Sequence, residues 1–245
     1  MKRMWSKAIN VFFALVFLYA SGHLVYIWYD SYENKQTLLE AKDIYSDTHL
    51  LQEEANSEGK NAFDELRAIN QDIVGWVSIN DTEIHYPVLQ SSDNDYYLNR
   101  NYKGERTRAG SIFMDYRNHP EEAKHTILYG HHMRDGTMFN ELERFTDEAF
   151  FYESDGHFFD TPVGQYTIDV FSVYYTTTDF YYIETDFEDD EAYGEFLREI
   201  QARSMYSSAT EVSSSDRIIT FSTCDDSTGQ DGRFVVHAKL VPQAA

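Results

Sequence analysis

From Ala8 to Tyr29 the chain runs for 22 residues without an Asp, Glu, Lys or Arg. Set against an acidic remainder, this run divides the chain into a part that leaves water and a part that stays in it. At a rise of ~1.5 Å per residue, a helix of this length crosses a hydrocarbon core of ~30 Å. Asn10 and His23 lie near its ends, and Tyr26, Trp28 and Tyr29 suit the outer interface. A cleaved signal peptide is the competing reading. Its apolar region is usually about 7–15 residues and ends at a small-residue site, whereas this run is longer and ends in bulky aromatics. Lys2, Arg3 and Lys7 precede the run, and Asp30 and Glu33 follow it. The positive-inside rule therefore predicts a cytoplasmic N-terminus over 1–7, a single transmembrane anchor over 8–29, and everything beyond outside the cell.

The outer part is strongly acidic. Without Lys2, Arg3 and Lys7 the chain keeps 17 basic residues against 42 acidic ones, a net charge of −25. That argues against nucleic acid as a partner and against adhesion to an anionic bilayer. A single cysteine excludes an intramolecular disulfide, so a core must hold this part together.

Residues 30–70 carry apolar positions at roughly helical intervals: Leu38, Ile44, Leu50, Phe63, Leu66 and Ile69. They predict one or two amphipathic helices, broken near Asn56–Gly59, as a stalk that packs on the domain. From Ile73 the texture changes to short β-like runs separated by turns, which predicts an antiparallel sandwich or barrel over 71–245. Helical interruptions are expected at Met138–Arg144 and at Glu188–Arg203. In the second, Tyr193, Phe196, Leu197 and Ile200 share one face.

Chemistry concentrates at the last two strands. Arg217 to Cys224 alternates Ile218, Thr220, Ser222 and Cys224 onto one face. The eight-residue loop Asp225–Gly232 then returns the chain to a run opened by Arg233. In a hairpin, Cys224 and Arg233 stand at the same end of the sheet. A free cysteine is commonly a small buried hydrophobe; with a base and an anion-stabilising group it is a nucleophile. Arg233 either answers nearby carboxylates or steadies a developing oxyanion. The pair His131-His132 follows the run Thr126–Tyr129 through Gly130, at a strand end where a base would serve. Adjacent histidines on an extended chain point apart, so one faces the site. Zinc is a poor alternative because no thiolate has the right spacing. No metal and no cofactor are expected.

Taken together, Thr220-Phe-Ser-Thr-Cys224, Arg233 and Gly130-His131 resemble the sortases, class B in particular. The family pattern has Leu where Phe221 stands. The resemblance extends from Val74 to Val241, through Tyr86–Gln90, Asp93–Leu98, Leu128–Met133 and Thr176–Tyr182. It implies an eight-stranded sortase β-barrel with N-terminal helices and one long helix before the cysteine strand, in a membrane-anchored enzyme of Gram-positive bacteria. It further implies a cysteine transpeptidase that cleaves a C-terminal sorting motif of secreted proteins through a thioester. The acyl group then passes to an amine of the peptidoglycan precursor or cross-bridge, or to a pilin lysine. Carried across, Cys224 is the nucleophile, Arg233 the oxyanion and substrate-positioning group, and His131 rather than His132 the acid and base. Asn94, Thr178, Tyr182 and Ser222 fall in segments that line the substrate groove, and Asp225 and Asp226 cap the loop. With many carboxylates nearby, activity is expected to rise above neutral pH. The alternatives are a cysteine peptidase that only hydrolyses, and a membrane-tethered binding module with an incidental thiol.

Overall fold

The computed structural model describes residues 2–55, 62–119, 122–224 and 231–243. Helix α1 spans Lys2–Ala55 without a break, so the apolar run and the first part of the segment expected to be a stalk form one element. The expected break at Asn56–Gly59 lies outside the described residues, and α2 follows at Ala62–Ile69. A stretch of α1 within Ile9–Ser46 is long and apolar enough to cross a membrane, with a mean hydropathy of 1.8. Farther along, Asn34, Leu38, Ala41 and Tyr45 are buried, while Leu39 and Glu40 stay exposed. Their 4-3-4 spacing places them on one helical face. Tyr45 stacks on Trp76 with ring centroids 4.2 Å apart and donates its hydroxyl hydrogen to Asp160. Polar contacts flank this seam: Lys103 pairs with Glu40 at 2.7 Å, and Lys42 donates to the Glu83 carbonyl at 3.4 Å.

Eight strands close into a barrel. In chain order they are β1 (Ile73–Ser78), β2 (His85–Leu89), β3 (Ile112–Met114), β4 (His125–Tyr129), β5 (Phe158–Thr161), β6 (Gly164–Thr177), β7 (Arg217–Cys224) and β8 (Gly232–Pro242). Around the barrel the order is β1-β2-β3-β4-β7-β8-β6-β5. The pairs β2–β3 and β4–β7 are parallel, which corrects the expectation of a wholly antiparallel sheet. Alternation of apolar residues assigns faces but not partner direction. Between β4 and β7 the chain travels through α3 (Glu148–Glu153), two strands and α4 (Asp190–Ala202), a crossover long enough for parallel pairing. The segment expected to be helical at Met138–Arg144 is a 3₁₀ helix over Asn140–Thr146. Helix α4 starts where the Asp189 side chain accepts from the Ala192 N–H at 2.9 Å.

Inside the barrel Val77, Val88, Met114, Leu128, Ile219, Phe221, Phe234 and Val236 form one apolar cluster. Residues of opposite parity point outward, and Ile218 and Val235 pack against Tyr193, Leu197 and Ile200 of α4. The outer face also carries a buried polar row across four adjacent strands. Tyr174 meets His237 Nε2 at 2.7 Å, and His237 Nδ1 meets the Thr220 hydroxyl at 2.6 Å. Thr220 meets His125 Nε2 at 2.6 Å, and His125 Nδ1 meets the Glu184 carbonyl at 2.6 Å. Burial holds His125 down to about 4 and His237 well below its ordinary value, so both rings are neutral. The proton positions follow from the end of the row, since a carbonyl only accepts. His125 Nδ1–H donates to Glu184, Thr220 donates to His125, His237 Nδ1–H donates to Thr220, and Tyr174 donates to His237.

Candidate active site

Strand register brings the three expected catalytic residues to one level. In the parallel pair β4–β7, Tyr129 stands opposite Ser222, and the Gly130 N–H donates to the Ser222 carbonyl at 3.3 Å. His131 is therefore as far past that rung as Cys224 is. On the other side of β7, Cys224 pairs directly with Arg233, and Arg233 with Thr176 of β6. Three neighbouring strand ends thus present His131, Cys224 and Arg233 in a row. The Cys224 side chain, Asp225 and Asp226 lie outside the described residues.

Gly130 is required at its position by close packing. A Cβ there would run into Ile112 and stand 2.8 Å from Phe139 Cδ2. The turn after β4 is thereby held against the core, and His131 leaves it with its ring fixed by a hydrogen bond. Nε2–H donates to the Leu98 carbonyl at 2.7 Å. His132 turns to other partners, with Asn140 Nδ2 at 3.1 Å and Glu143 Oε2 at 3.5 Å.

A groove of about 270 Å³ opens at this end of the barrel. Its lining includes His131, Arg233, Asn94, Thr178, Tyr182 and Ser222, so six of the seven expected site residues meet there with described side chains. Their roles within it differ. Tyr182 and Ser222 are buried and share a hydrogen bond of 2.7 Å. Asn94 is committed to the protein itself, donating to Asp115 at 3.1 Å and accepting from the Tyr116 N–H at 3.0 Å. Thr178 is exposed on the rim. The Arg233 guanidinium donates to the neighbouring Gly232 carbonyl at 2.7 Å.

The groove also contains residues that sequence reasoning did not select: Leu98, Phe113, Tyr129, Phe180, Tyr181, Ile183 and Thr223. Leu98, Tyr129 and Tyr181 sit inside segments that carried the family resemblance, and their place beside Gly130 or Tyr182 was the available signal. Behind Tyr129 lies Asp115, fully buried, which accepts from the tyrosine hydroxyl at 2.9 Å. Burial pushes the Asp115 carboxyl up, but hydrogen bonds from Arg117 and Tyr129 outweigh it and hold the group below its ordinary value. Among the described residues, no group of three or more His, Cys, Asp and Glu side chains is arranged to hold a metal ion.

Residues 77–241 match the family model of the sortase domain. Sortase B of Listeria monocytogenes is 41% identical over 242 residues, covering 98% of each chain. A crystal structure of sortase B from Bacillus anthracis aligns with a TM-score of 0.78 and 48% identity, covering 89% of this chain and 100% of that one. A Staphylococcus aureus sortase B–substrate complex aligns with a TM-score of 0.80 and 38% identity, covering 88% and 99%.

Proposed function

The chain belongs to the sortase family, as a cysteine transpeptidase of the sortase B type, and from that premise we propose that His131, Cys224 and Arg233 carry out its transfer on the outer side of the membrane. The observation that supports this most is the register of β4, β7 and β8, which sets the three residues on adjacent strand ends beside one groove.

Sortases act on proteins that bear a sorting motif. In the proposed reaction the motif lies in the groove with its scissile carbonyl over Cys224. His131 Nε2–H is held by Leu98, so Nδ1 is the nitrogen left to take the thiol proton. The thiolate attacks the carbonyl carbon, and the resulting oxyanion is met by the permanently charged guanidinium of Arg233. The protonated imidazole then gives its proton to the departing amide nitrogen. The carbon–nitrogen bond breaks, and a thioester remains on Cys224. A second amine, from the peptidoglycan precursor or cross-bridge or from a pilin lysine, loses its proton to His131 and attacks the thioester. The new amide leaves and the thiol is restored. The apolar part of α1 serves as a single-pass anchor over 8–29, with 1–7 cytoplasmic, 30–70 as the stalk and the catalytic barrel over 71–245 outside.

The test uses the full chain in detergent with a library of sorting-motif peptides and hydroxylamine as the amine. Wild type should give a Cys224-linked acyl adduct and a hydroxamate product by mass spectrometry. Cys224→Ala should give neither, and Arg233→Ala should lower kcat by about 10²–10³-fold. Peptide cleavage that survives Cys224→Ala would rule out the nucleophile. Cleavage without any hydroxamate would rule out the transfer.

A further inference from the structure

The wall of the groove between β6 and α4 has little structure of its own. Over residues 178–184 the backbone N–H groups of Phe180 and Tyr182 donate to the Thr177 carbonyl at 3.3 Å and the Phe180 carbonyl at 3.1 Å, and no strand or helix is formed there among the described residues. Its position therefore depends on attachments from outside, and the most elaborate of these begins at the end of β3. Asp115 follows Met114 directly, is fully buried, and donates its N–H to the Ile127 carbonyl at 2.9 Å. It grips Arg117 through both carboxylate oxygens, at 2.8 Å to Nε and 2.7 Å to Nη2. The far side of the same guanidinium donates to the Tyr181 hydroxyl at 2.9 Å and to the Ile183 carbonyl at 3.0 Å.

We infer that Asp115 and Arg117 are positioning residues for the peptide groove: they clamp the wall that carries Thr178, Tyr181 and Ile183 to the barrel, and so govern how firmly a peptide is held rather than the chemical step. The inference rests on the reading of this groove as the site of the sorting motif. Its geometry requires a planar fork. Arg117 makes two bonds back to a rigid carboxylate and two forward to the wall, which only a guanidinium spans at once. Lysine keeps the charge facing Asp115 but is a single point donor, so it releases the wall without leaving Asp115 uncompensated. Asp115 also accepts from Tyr129 and Asn94, so one buried carboxylate joins three sides of the groove.

The deciding variant is Arg117→Lys, compared with wild type as full chains in detergent. Loss of two charge-assisted bonds to the wall should raise KM for a sorting peptide about tenfold while kcat changes less than about threefold. Amide exchange over 178–184 should quicken about tenfold, because local opening becomes easier there. Alkylation of Cys224 by iodoacetamide should keep its rate, because this small reagent needs no wall. Tyr181→Phe removes one of the two forward bonds and should fall between wild type and Arg117→Lys. Exchange that stays at the wild-type rate would overturn the clamp. Faster exchange with unchanged KM, or a loss confined to kcat, would overturn its role in holding peptide. A wild-type enzyme that cleaves no peptide would instead refute the proposed function, and the exchange comparison would still decide the clamp.

Discussion

Replacing Thr220 by valine should destabilise the barrel far more than an isosteric change on a strand normally does. The hydroxyl is the hinge of the buried row on the outer face: it donates to His125 Nε2 and accepts from His237 Nδ1–H, each at 2.6 Å. Thr220, His125 and His237 are all 0% exposed, so water cannot replace what is lost. Valine keeps the shape and strands two imidazole groups, one acceptor and one donor. Each unsatisfied buried group costs about 1–3 kcal/mol, a total of about 2–6 kcal/mol. The new methyl returns about 1 kcal/mol of apolar burial. A net loss of about 1–5 kcal/mol, centred near 3, is a large share of a domain stability of about 5–15 kcal/mol.

Urea unfolding of the full chain, followed by near-ultraviolet circular dichroism, reads this directly. With a slope of about 2 kcal/mol per molar, the midpoint should fall by about 0.5–2.5 M. Thr220→Ser is the matched control, since it keeps the hydroxyl and loses a methyl, at about 1 kcal/mol. The expected order is wild type, then serine, then valine. If valine costs no more than serine, or moves the midpoint by less than about 0.3 M, the hydroxyl is not the hinge of the row and the proton assignment fails.

The same row makes stability depend on pH. Burial lowers His125 to about 4 and His237 well below 6.5. Outside the row it lowers His157, buried where its Nδ1 accepts from the Asn80 N–H at 2.9 Å, to about 4, so the unfolded chain takes up these protons before the folded one does. Stability should be full above pH 6.5 and fall as pH drops toward 4, by up to about 1.4 kcal/mol per pH unit for each histidine; equal urea midpoints at pH 7 and pH 4.5 would contradict this. Gly130→Ala forces a methyl against Ile112 and Phe139. It should cost about 1–3 kcal/mol by overpacking and reduce peptide cleavage by displacing His131, and a variant with wild-type midpoint and rate would refute that packing. Tyr45→Ala removes the ring stacked on Trp76. The truncation is worth about 3–5 kcal/mol of docking, so amides of residues 34–45 should exchange faster while those of β7 and β8 do not, and uniform exchange across both regions would count against local undocking.

The barrel was legible because short runs rich in β-branched and aromatic residues recur between turns, and in β7 the apolar Ile219 and Phe221 alternate with Thr220 and Ser222. Direction was not legible. The parallel neighbours β4 and β7 lie some 90 residues apart, and nothing local in either states which partner it takes. The site divides in the same way. Cys224 and Arg233 face one another across a short hairpin, within reach of sequence spacing, whereas His131 joins them only through the family pattern and then through register. Asp115 and Arg117 escaped notice because Asp-Tyr-Arg after a short strand looks like any solvated turn, and only the fold buries the first carboxylate completely. His125 and His237 escaped for a related reason. A single histidine in an apolar strand gives no sign of the hydroxyl that another strand brings to it.

An uninterrupted helix from Lys2 to Ala55 also turns residue number into orientation. Each residue of an α-helix advances ~1.5 Å and rotates ~100°. Between Tyr29, the end of the uncharged run, and Asn34, where the buried face begins, one inserted residue would move the barrel by only ~1.5 Å but would swing the groove through more than a quarter turn about the helix axis. Seven inserted residues would lift it by ~10 Å and return it to within ~20° of its original heading. In the anchored topology proposed above, height above the bilayer and the compass bearing of the groove are thus both set by the length of one short stretch of sequence outside the groove.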